Sequence, residues 1–162
     1  MRWRSVGETN CSIARTLSVI GERWTMLILR DAFLGRRRFD DFQRNTGIAR
    51  NILSTRLRAL VHDGILERDA AADDRARIEY RLTKKGLDLY PVLVAMLRWG
   101  DAWLAGEKGP PVTLVHRRCG AHATPTMVCP NCGEEVSARE MIAIPRRRPH
   151  PTRRAQRRRA SH

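Results

Sequence analysis

Apolar residues recur every three to four positions through much of the chain, which is the spacing of one face of an α-helix. This pattern predicts a first helix that ends at Gly21, a second that ends at Gly35, and a short third that contains Phe39 and Phe42. A fourth helix is predicted at about 49–62. Its inward face is formed by Leu53, Leu57 and Leu60.

Two short strand-like runs follow the fourth helix. Residues 65–68 and 78–82 are typical of strands, and the polar segment between them, with Asp73 and Asp74, is typical of a hairpin loop. Helix, turn, helix and hairpin is the order of a winged helix-turn-helix. We therefore expect a mainly α fold with a small β hairpin, a C-terminal dimerisation helix and a small zinc-ribbon-like appendage.

A last helix is predicted at about 84–105, and it carries two adjacent apolar stripes. Because such a face is too broad for a small domain to cover alone, it predicts a homodimer. The alternative is a helix buried in the core of a monomer. Pro91 is expected to kink this helix or to mark where it begins. The candidate dimerisation residues are Tyr90, Leu93, Met96, Leu97, Trp99, Trp103 and Leu104.

Charge is distributed unevenly along the 162 residues, whose formal net charge is +14. Residues 145–162 contain eight arginines and no acidic residue, and we expect them to be a disordered tail that binds phosphates without choosing sequence. An idle solvated extension is the alternative. The basic balance favours a nucleic-acid partner. Since the pattern shows neither a secretory signal nor a membrane-spanning stretch, we expect a cytoplasmic, nucleoid-associated protein.

These patterns divide the chain into four zones. Residues 1–10 form a leader, and residues 11–106 form the winged-helix DNA-binding and dimerisation domain. Residues 112–140 contain three of the four cysteines, and residues 145–162 form the arginine-rich tail.

The outward edge of the fourth helix suits contact with bases, because Asn51, Thr55 and Arg58 point away from its leucines. Arginine can donate two hydrogen bonds to guanine, and asparagine can pair with adenine. A solvated polar face is the alternative. The candidate base-contacting residues are Arg50, Asn51, Ser54, Thr55 and Arg58. The candidate phosphate-contacting residues are Arg36, Arg37, Arg38, Arg75 and Arg77.

Between about residues 11 and 104 the chain resembles the HxlR-type transcriptional regulators, which are relatives of the MarR regulators. The resemblance implies a dimeric winged-helix regulator that binds double-stranded DNA, usually as a repressor and sometimes as an activator. Ala49 stands where these regulators often have serine, so the fourth helix loses a good N-cap. The motifs that carry the resemblance are Cys11, VIGERWTMLILR at 19–30, RFDDF at 38–42, GIARNIL at 47–53, LRAL at 57–60, DGIL at 63–66, RIEYRLTKKG at 77–86, PVL at 91–93 and WG at 99–100.

Cys11 lies at the predicted start of the first helix, with Arg15 one turn later. Helix-end amides and a nearby cation both favour the thiolate, which is the form that reacts with oxidants and electrophiles. Some regulators that this sequence resembles sense such chemicals through a cysteine at this place. The alternative is a small residue packed at the dimer interface. The pattern itself assigns no inducer.

Two turns of the same pattern follow the Gly-Pro-Pro linker at 109–111. His116 and Cys119 precede one glycine, and Cys129 and Cys132 precede another. Together they offer three thiolates and one imidazole, a closed tetrahedral set for structural zinc, with His122 as a spare ligand. Free thiols, or a redox pair of Cys129 and Cys132, are the alternatives.

Three functions are compatible with these features. The first is a sequence-specific, homodimeric transcriptional regulator that responds to electrophiles or oxidants through Cys11. The second is an RNA-associated, zinc-binding basic protein, which accounts for residues 112–162 but leaves the helix-turn-helix without a role. The third is a thiol-dependent enzyme, for which no histidine or carboxylate is reliably placed beside Cys11. We therefore expect a regulator without enzymatic turnover.

Overall fold

The computed structural model describes residues 7–69 and 78–145. In these residues the chain is mainly helical with one two-stranded antiparallel hairpin, an arrangement consistent with a winged helix-turn-helix. None of the described helices is long and apolar enough to cross a membrane. The elements in chain order are α1 (Ser12–Ile20), α2 (Arg23–Phe33), α3 (Phe39–Thr46), α4 (Arg50–His62), β1 (Leu66–Asp69), β2 (Glu79–Leu82), α5 (Lys84–Leu87) and α6 (Tyr90–Leu104).

The core lies where α2, α3, α4 and the base of the hairpin meet. Leu53 and Leu57 of α4 are completely buried and Leu60 is nearly so, which confirms the predicted inward face. Phe42 packs in the same cluster, with its ring centroid 6.4 Å from that of Tyr80 in β2. Burial of these side chains fixes which edge of α4 remains outside.

A sharp turn separates α3 from α4. Gly47 ends α3 with a φ of +67°, a conformation that glycine adopts without steric cost, and its N–H donates to the Gln43 carbonyl at 2.9 Å. Ala49 precedes α4 and makes no side-chain capping hydrogen bond, as expected for an alanine at this position.

The hairpin pairs Leu66 with Leu82 and Asp69 with Glu79, within one residue of the predicted strands. Its loop, at 70–77, lies outside the described residues. Below the hairpin, the Thr83 hydroxyl donates to the Gly64 carbonyl at 2.6 Å and accepts from the Gly86 N–H at 3.1 Å. A Cβ at Gly86 would clash with the Ile65 carbonyl oxygen, so this close approach requires glycine.

The predicted single helix at 84–105 is wrong. The chain forms the short helix α5, leaves it at Asp88, and starts α6 at Tyr90. Pro91 lies in the first turn of α6, where backbone N–H groups have no acceptor within the helix. The N–H that proline lacks therefore costs no hydrogen bond. Val94 is the one buried residue of α6, so the alternative of a helix enclosed in the core of the single chain is also wrong.

The chain divides into two compact units, one up to Leu114 and one from Val115 onward. The second unit contains two isolated antiparallel bridges, Val115 with His122 and Val128 with Glu135. Within its described part, residues 115–145, every residue is exposed or partly exposed. The two units are therefore built on different principles.

Candidate nucleic-acid interface

The outward edge of α4 presents polar side chains opposite the buried leucines. Asn51, Thr55 and Arg58 are all exposed, as the sequence predicted. The Thr55 hydroxyl donates to the Asn51 carbonyl at 2.9 Å, and the Arg58 Nε donates to the Ser54 carbonyl at 3.3 Å. These bonds to the helix backbone hold the side chains against α4, so less conformational entropy is lost when they contact a ligand.

Arg50 contacts α3 at the start of α4. Its Nη1 lies 3.0 Å from Asp40 Oδ1 and 2.7 Å from Gln43 Oε1, and its guanidinium carbon lies 4.7 Å from the Phe39 ring centroid. These contacts favour a role in orienting α4 relative to α3. Sequence reasoning grouped Arg50 with the base contacts, because periodicity shows which way a residue faces but not what it meets there.

A buried carboxylate connects α2 with α3, and sequence reasoning missed it. Asp31 is fully buried, and Asn45 Nδ2 lies 2.8 and 2.7 Å from its two oxygens. Arg30 Nη2 completes the cluster, 2.8 Å from Asp31 Oδ1. Since a buried charge is tolerated only when paired and hydrogen-bonded, this cluster fixes α3 against α2. The available signal was an acidic residue inside an apolar helix.

A second ion pair fastens the start of α2 to α4. Glu22 caps α2 by accepting from the Trp24 N–H at 3.0 Å, and its Oε2 lies 3.4 Å from Arg56 Nε. Arg56 is partly buried and lies on α4 between the exposed edge and the core. We infer that it supports the helix instead of contacting a ligand.

The predicted phosphate-contacting arginines lie around α3 and the hairpin. Arg36 Nη2 is 3.4 Å from Asn45 Oδ1, Arg37 Nη1 is 3.9 Å from Glu79 Oε2, and Arg38 is exposed just before α3. Arg75 and Arg77 lie outside the described residues. A cleft of about 600 Å³ between α3 and the hairpin is lined by Arg38, Phe39, Asp40, Asp41, Arg44, Arg50, Ile78 and Tyr80. Arg44, which the sequence analysis did not select, thus joins the basic surface.

Cys11 occupies the N-cap position of α1 and is exposed. The guanidinium of Arg15 was expected beside the thiol, but it donates to the Thr9 carbonyl and to Asn10 Oδ1, each at 3.3 Å. On the same helix, Ile13 is 71% exposed although it is apolar. The thiol therefore lies at the start of a helix with an uncovered apolar side chain.

Helix α6 leaves a broad apolar surface uncovered. Trp99, Trp103 and Leu104 are 60%, 74% and 71% exposed. Nearer its start, the Tyr90 ring centroid lies 5.1 Å from that of Phe33 in α2. An apolar groove of about 390 Å³ continues this surface along α2 and α6. All the proposed dimerisation residues are at least partly exposed.

The second unit brings the four candidate metal ligands together in pairs. His116 Nδ1 lies 3.3 Å from Cys119 Sγ. The N–H groups of Cys132 and Asn131, together with the Cys132 thiol, donate to Cys129 and lower its pKa. Within the described residues, no three His, Cys, Asp or Glu side chains meet in a group that could hold a metal ion. The ring nitrogen facing Cys119 belongs to His116, not to the spare His122.

A sharp turn, a helix with an exposed polar edge and a hairpin define a DNA-binding protein of the winged helix-turn-helix class. The chain belongs to the HxlR-like helix-turn-helix family, whose family model matches residues 19–108. It is a transcriptional regulator of the HxlR/MarR-like type.

Similar proteins agree with this assignment. The chain is 48% identical over 134 residues to the HTH-type transcriptional regulator Rv3095 of Mycobacterium tuberculosis, covering 83% of this chain and 85% of the relative. It is similar to the structure of the transcription factor PA1607, with a TM-score of 0.77 and 38% identity over 86% of this chain and 98% of that one. It is also similar to the redox regulator HypR in its reduced form, with a TM-score of 0.54 and 32% identity over 57% of this chain and 92% of that one.

Proposed function

We propose that the protein is a homodimeric, sequence-specific repressor that recognises DNA through α4. The observation that carries this proposal is the exposure of Asn51, Thr55 and Arg58 along one edge of a helix whose opposite edge is buried. An α-helix fits the major groove, where these side chains can discriminate between base pairs. Ser54 is partly exposed beside them and contributes a hydroxyl.

The contacts around α4 support a division of labour among the basic residues. Arg50 is held by Asp40 and Gln43, so in this proposal it orients the helix on α3. Arg36, Arg37 and Arg38 provide positive charge beside α3 and act on phosphates, which fix register without reading bases. Sequence preference then comes from Asn51, Thr55 and Arg58, and general affinity from the surrounding arginines.

The uncovered face of α6 supports a homodimer. Exposed tryptophans on one helix form a patch of the kind that monomeric proteins seldom leave in water. A second copy of the same chain can cover it with an identical face, since two-fold interfaces are self-complementary. Two α4 helices then contact two half-sites of a palindromic operator, about one helical turn apart. Occupying a site at a promoter excludes the polymerase, which is how such a dimer represses.

The position of Cys11 supports a response to electrophiles or peroxides. An electrophilic carbon forms an S–C bond with the sulfur while the thiol proton passes to the electrophile. Hydrogen peroxide instead oxidises the thiol to a sulfenic acid and is itself reduced to water. Either product adds bulk at the start of α1, beside the exposed Ile13. In the proposed dimer this changes the spacing of the two α4 helices and weakens operator binding.

The DNA proposal is tested with duplex DNA from the region next to the protein's own gene. Asn51→Ala and Arg58→Ala should each reduce preference for the operator over scrambled duplex by about 1–3 kcal/mol, or roughly 5- to 150-fold. Lys108→Ala removes one exposed charge from a different element and is the control. If both α4 variants kept full preference, or if structured RNA displaced the duplex, the proposal would be wrong.

The thiol proposal is tested by treating the protein with N-ethylmaleimide and measuring operator affinity. Wild-type protein should lose affinity at least tenfold, whereas Cys11→Ser should keep it. The Ser variant still contains Cys119, Cys129 and Cys132, so it also controls for alkylation at those thiols. Equal losses in the two proteins would show that Cys11 is not the responsive group.

A further inference from the structure

Two turns in the second unit have the same construction although their sequences differ. In the first, the His116 N–H donates to the Ala121 carbonyl at 2.9 Å, and the Gly120 N–H donates to the His116 carbonyl at 2.8 Å. The glycine at the end of the turn has a φ of +69°. The flanking residues Val115 and His122 close the turn with an antiparallel bridge.

The second turn repeats each of these features thirteen positions later in the chain. The Cys129 N–H donates to the Glu134 carbonyl, and the Gly133 N–H donates to the Cys129 carbonyl, both at 2.8 Å. Gly133 has a φ of +75°, and Val128 bridges to Glu135. Each turn therefore places one candidate ligand at its first position and another three residues later.

Both turns bring their two donor atoms together. In the first, His116 Nδ1 and Cys119 Sγ are 3.3 Å apart. In the second, the backbone N–H groups of Asn131 and Cys132 point at the sulfur of Cys129. Each pair comes from a single turn, so one turn can present two ligands to the same ion.

The described part of the second unit, residues 115–145, has no hydrophobic core that could hold such turns. None of the described residues 115–145 is buried, and the apolar side chains of Val115, Met127 and Val128 are 53%, 65% and 54% exposed. A segment this short cannot offset its conformational entropy by burial alone. Metal binding is the usual source of the missing stability in a cysteine-bearing segment without disulfides, and all four cysteines here are free.

We propose that His116, Cys119, Cys129 and Cys132 together bind one structural Zn²⁺ ion. One neutral imidazole and three cysteine thiols, which release their protons and bind as thiolates, form the closed tetrahedral set that zinc prefers. Four protein ligands leave no position for substrate, so the ion stabilises the fold. The described side chains form two pairs, and the ion draws these pairs together into one site.

The relatives share this part of the chain. A match of 134 residues leaves only 28 of the 162 positions outside it, so it includes residues 29–134 wherever it begins. The similarity to the mycobacterial regulator thus extends beyond the family region at 19–108 and through all four proposed ligands. This extent is expected if the segment is a maintained part of the regulator instead of an idle extension.

The test measures zinc in the full-length protein, expressed with zinc and purified without chelator. Wild-type protein should contain about one zinc per chain by elemental analysis, and His116→Gln, Cys119→Ser, Cys129→Ser and Cys132→Ser should each lose most of it. His122→Gln and Cys11→Ser are the matched controls and should keep it. The far-ultraviolet circular dichroism of the helices should persist in every variant, because the first unit has its own core.

Cobalt binding provides a second measurement, which uses only the wild-type protein and so does not require that the variants fold. Adding Co²⁺ to metal-free wild-type protein should produce the intense thiolate charge-transfer absorption and visible bands of a tetrahedral site, and Zn²⁺ should displace it. Absence of zinc together with a Cys129–Cys132 disulfide would overturn the proposal in favour of a redox pair. Zinc loss in His122→Gln with retention in His116→Gln would overturn the assignment of the histidine.

Discussion

The two units of this protein obtain their order from different interactions. The first buries Phe42, Leu53 and Leu57 completely among the helices and the hairpin. The second has no buried residue between positions 115 and 145, and its order lies in two hydrogen-bonded turns. The comparison teaches that a short chain can combine a region ordered by hydrophobic burial with one whose described residues are ordered by hydrogen-bonded turns.

The largest expected difference between the units follows removal of metal. With a strong chelator, residues 112–140 should lose amide protection and become sensitive to protease, because zinc binding in such segments contributes about 10–16 kcal/mol. The helices α2 to α4 should keep their protection, since their core contains no ligand. Hydrogen exchange measured by mass spectrometry follows both units at once. Simultaneous loss of amide protection in both units would show that the stability of the first unit depends on the metal as well.

A smaller difference is expected from truncating one apolar side chain in each unit. Phe42→Ala should lower the free energy of unfolding by about 3–5 kcal/mol, because it leaves a cavity in the core. Val128→Ala should change it by less than about 0.5 kcal/mol, because Val128 is already exposed. Urea denaturation followed by circular dichroism measures the effect of Phe42→Ala. Hydrogen exchange in residues 115–140 measures the effect of Val128→Ala. A large loss of stability in Val128→Ala would show that Val128 is buried in solution, in contrast to its exposure in the single chain.

Effects smaller than that of Phe42→Ala should come from the glycines that end the turns. Gly47 and Gly133 both have positive φ and open space around an added Cβ, so alanine costs only backbone strain of about 1–2 kcal/mol. In the first unit this cost should appear in the urea midpoint. In the second it should appear as a roughly 5- to 30-fold weakening of zinc affinity, measured by competition with a chelator. If Gly133→Ala left zinc affinity unchanged, metal binding and turn formation would not be coupled.

Sequence periodicity predicted α4 well because this helix buries one face against the core. The inward leucines of α4 and the outward Asn51, Thr55 and Arg58 follow from a repeat of 3.6 residues alone. The split between α5 and α6 does not follow from periodicity, because the apolar stripes continue across Asp88 and Leu89. The helix is nevertheless interrupted at these two residues. Pro91, in the first turn of α6, is the local signal for the start of this helix.

The contacts of polar side chains were not predictable in the same way. Asp31 and Asn45 are fourteen positions apart and meet only because α2 and α3 pack together. Likewise, the helical repeat places Arg50 on the outward edge of α4 but does not show that Asp40 and Gln43 lie beside it. Polar pairing depends on which elements become neighbours, and no periodic pattern records that information.

By itself, the sequence determined the order of the helices and strands as far as the hairpin, the buried face of α4 and the spacing of the four metal-ligand candidates, because these depend on residues close together in the chain. Only the tertiary structure decided which arginine on α4 is held by α3, that α6 remains largely uncovered, and that His116 is the histidine facing Cys119. These depend on how separate segments meet in space, where burial and polar pairing compete over long chain distances.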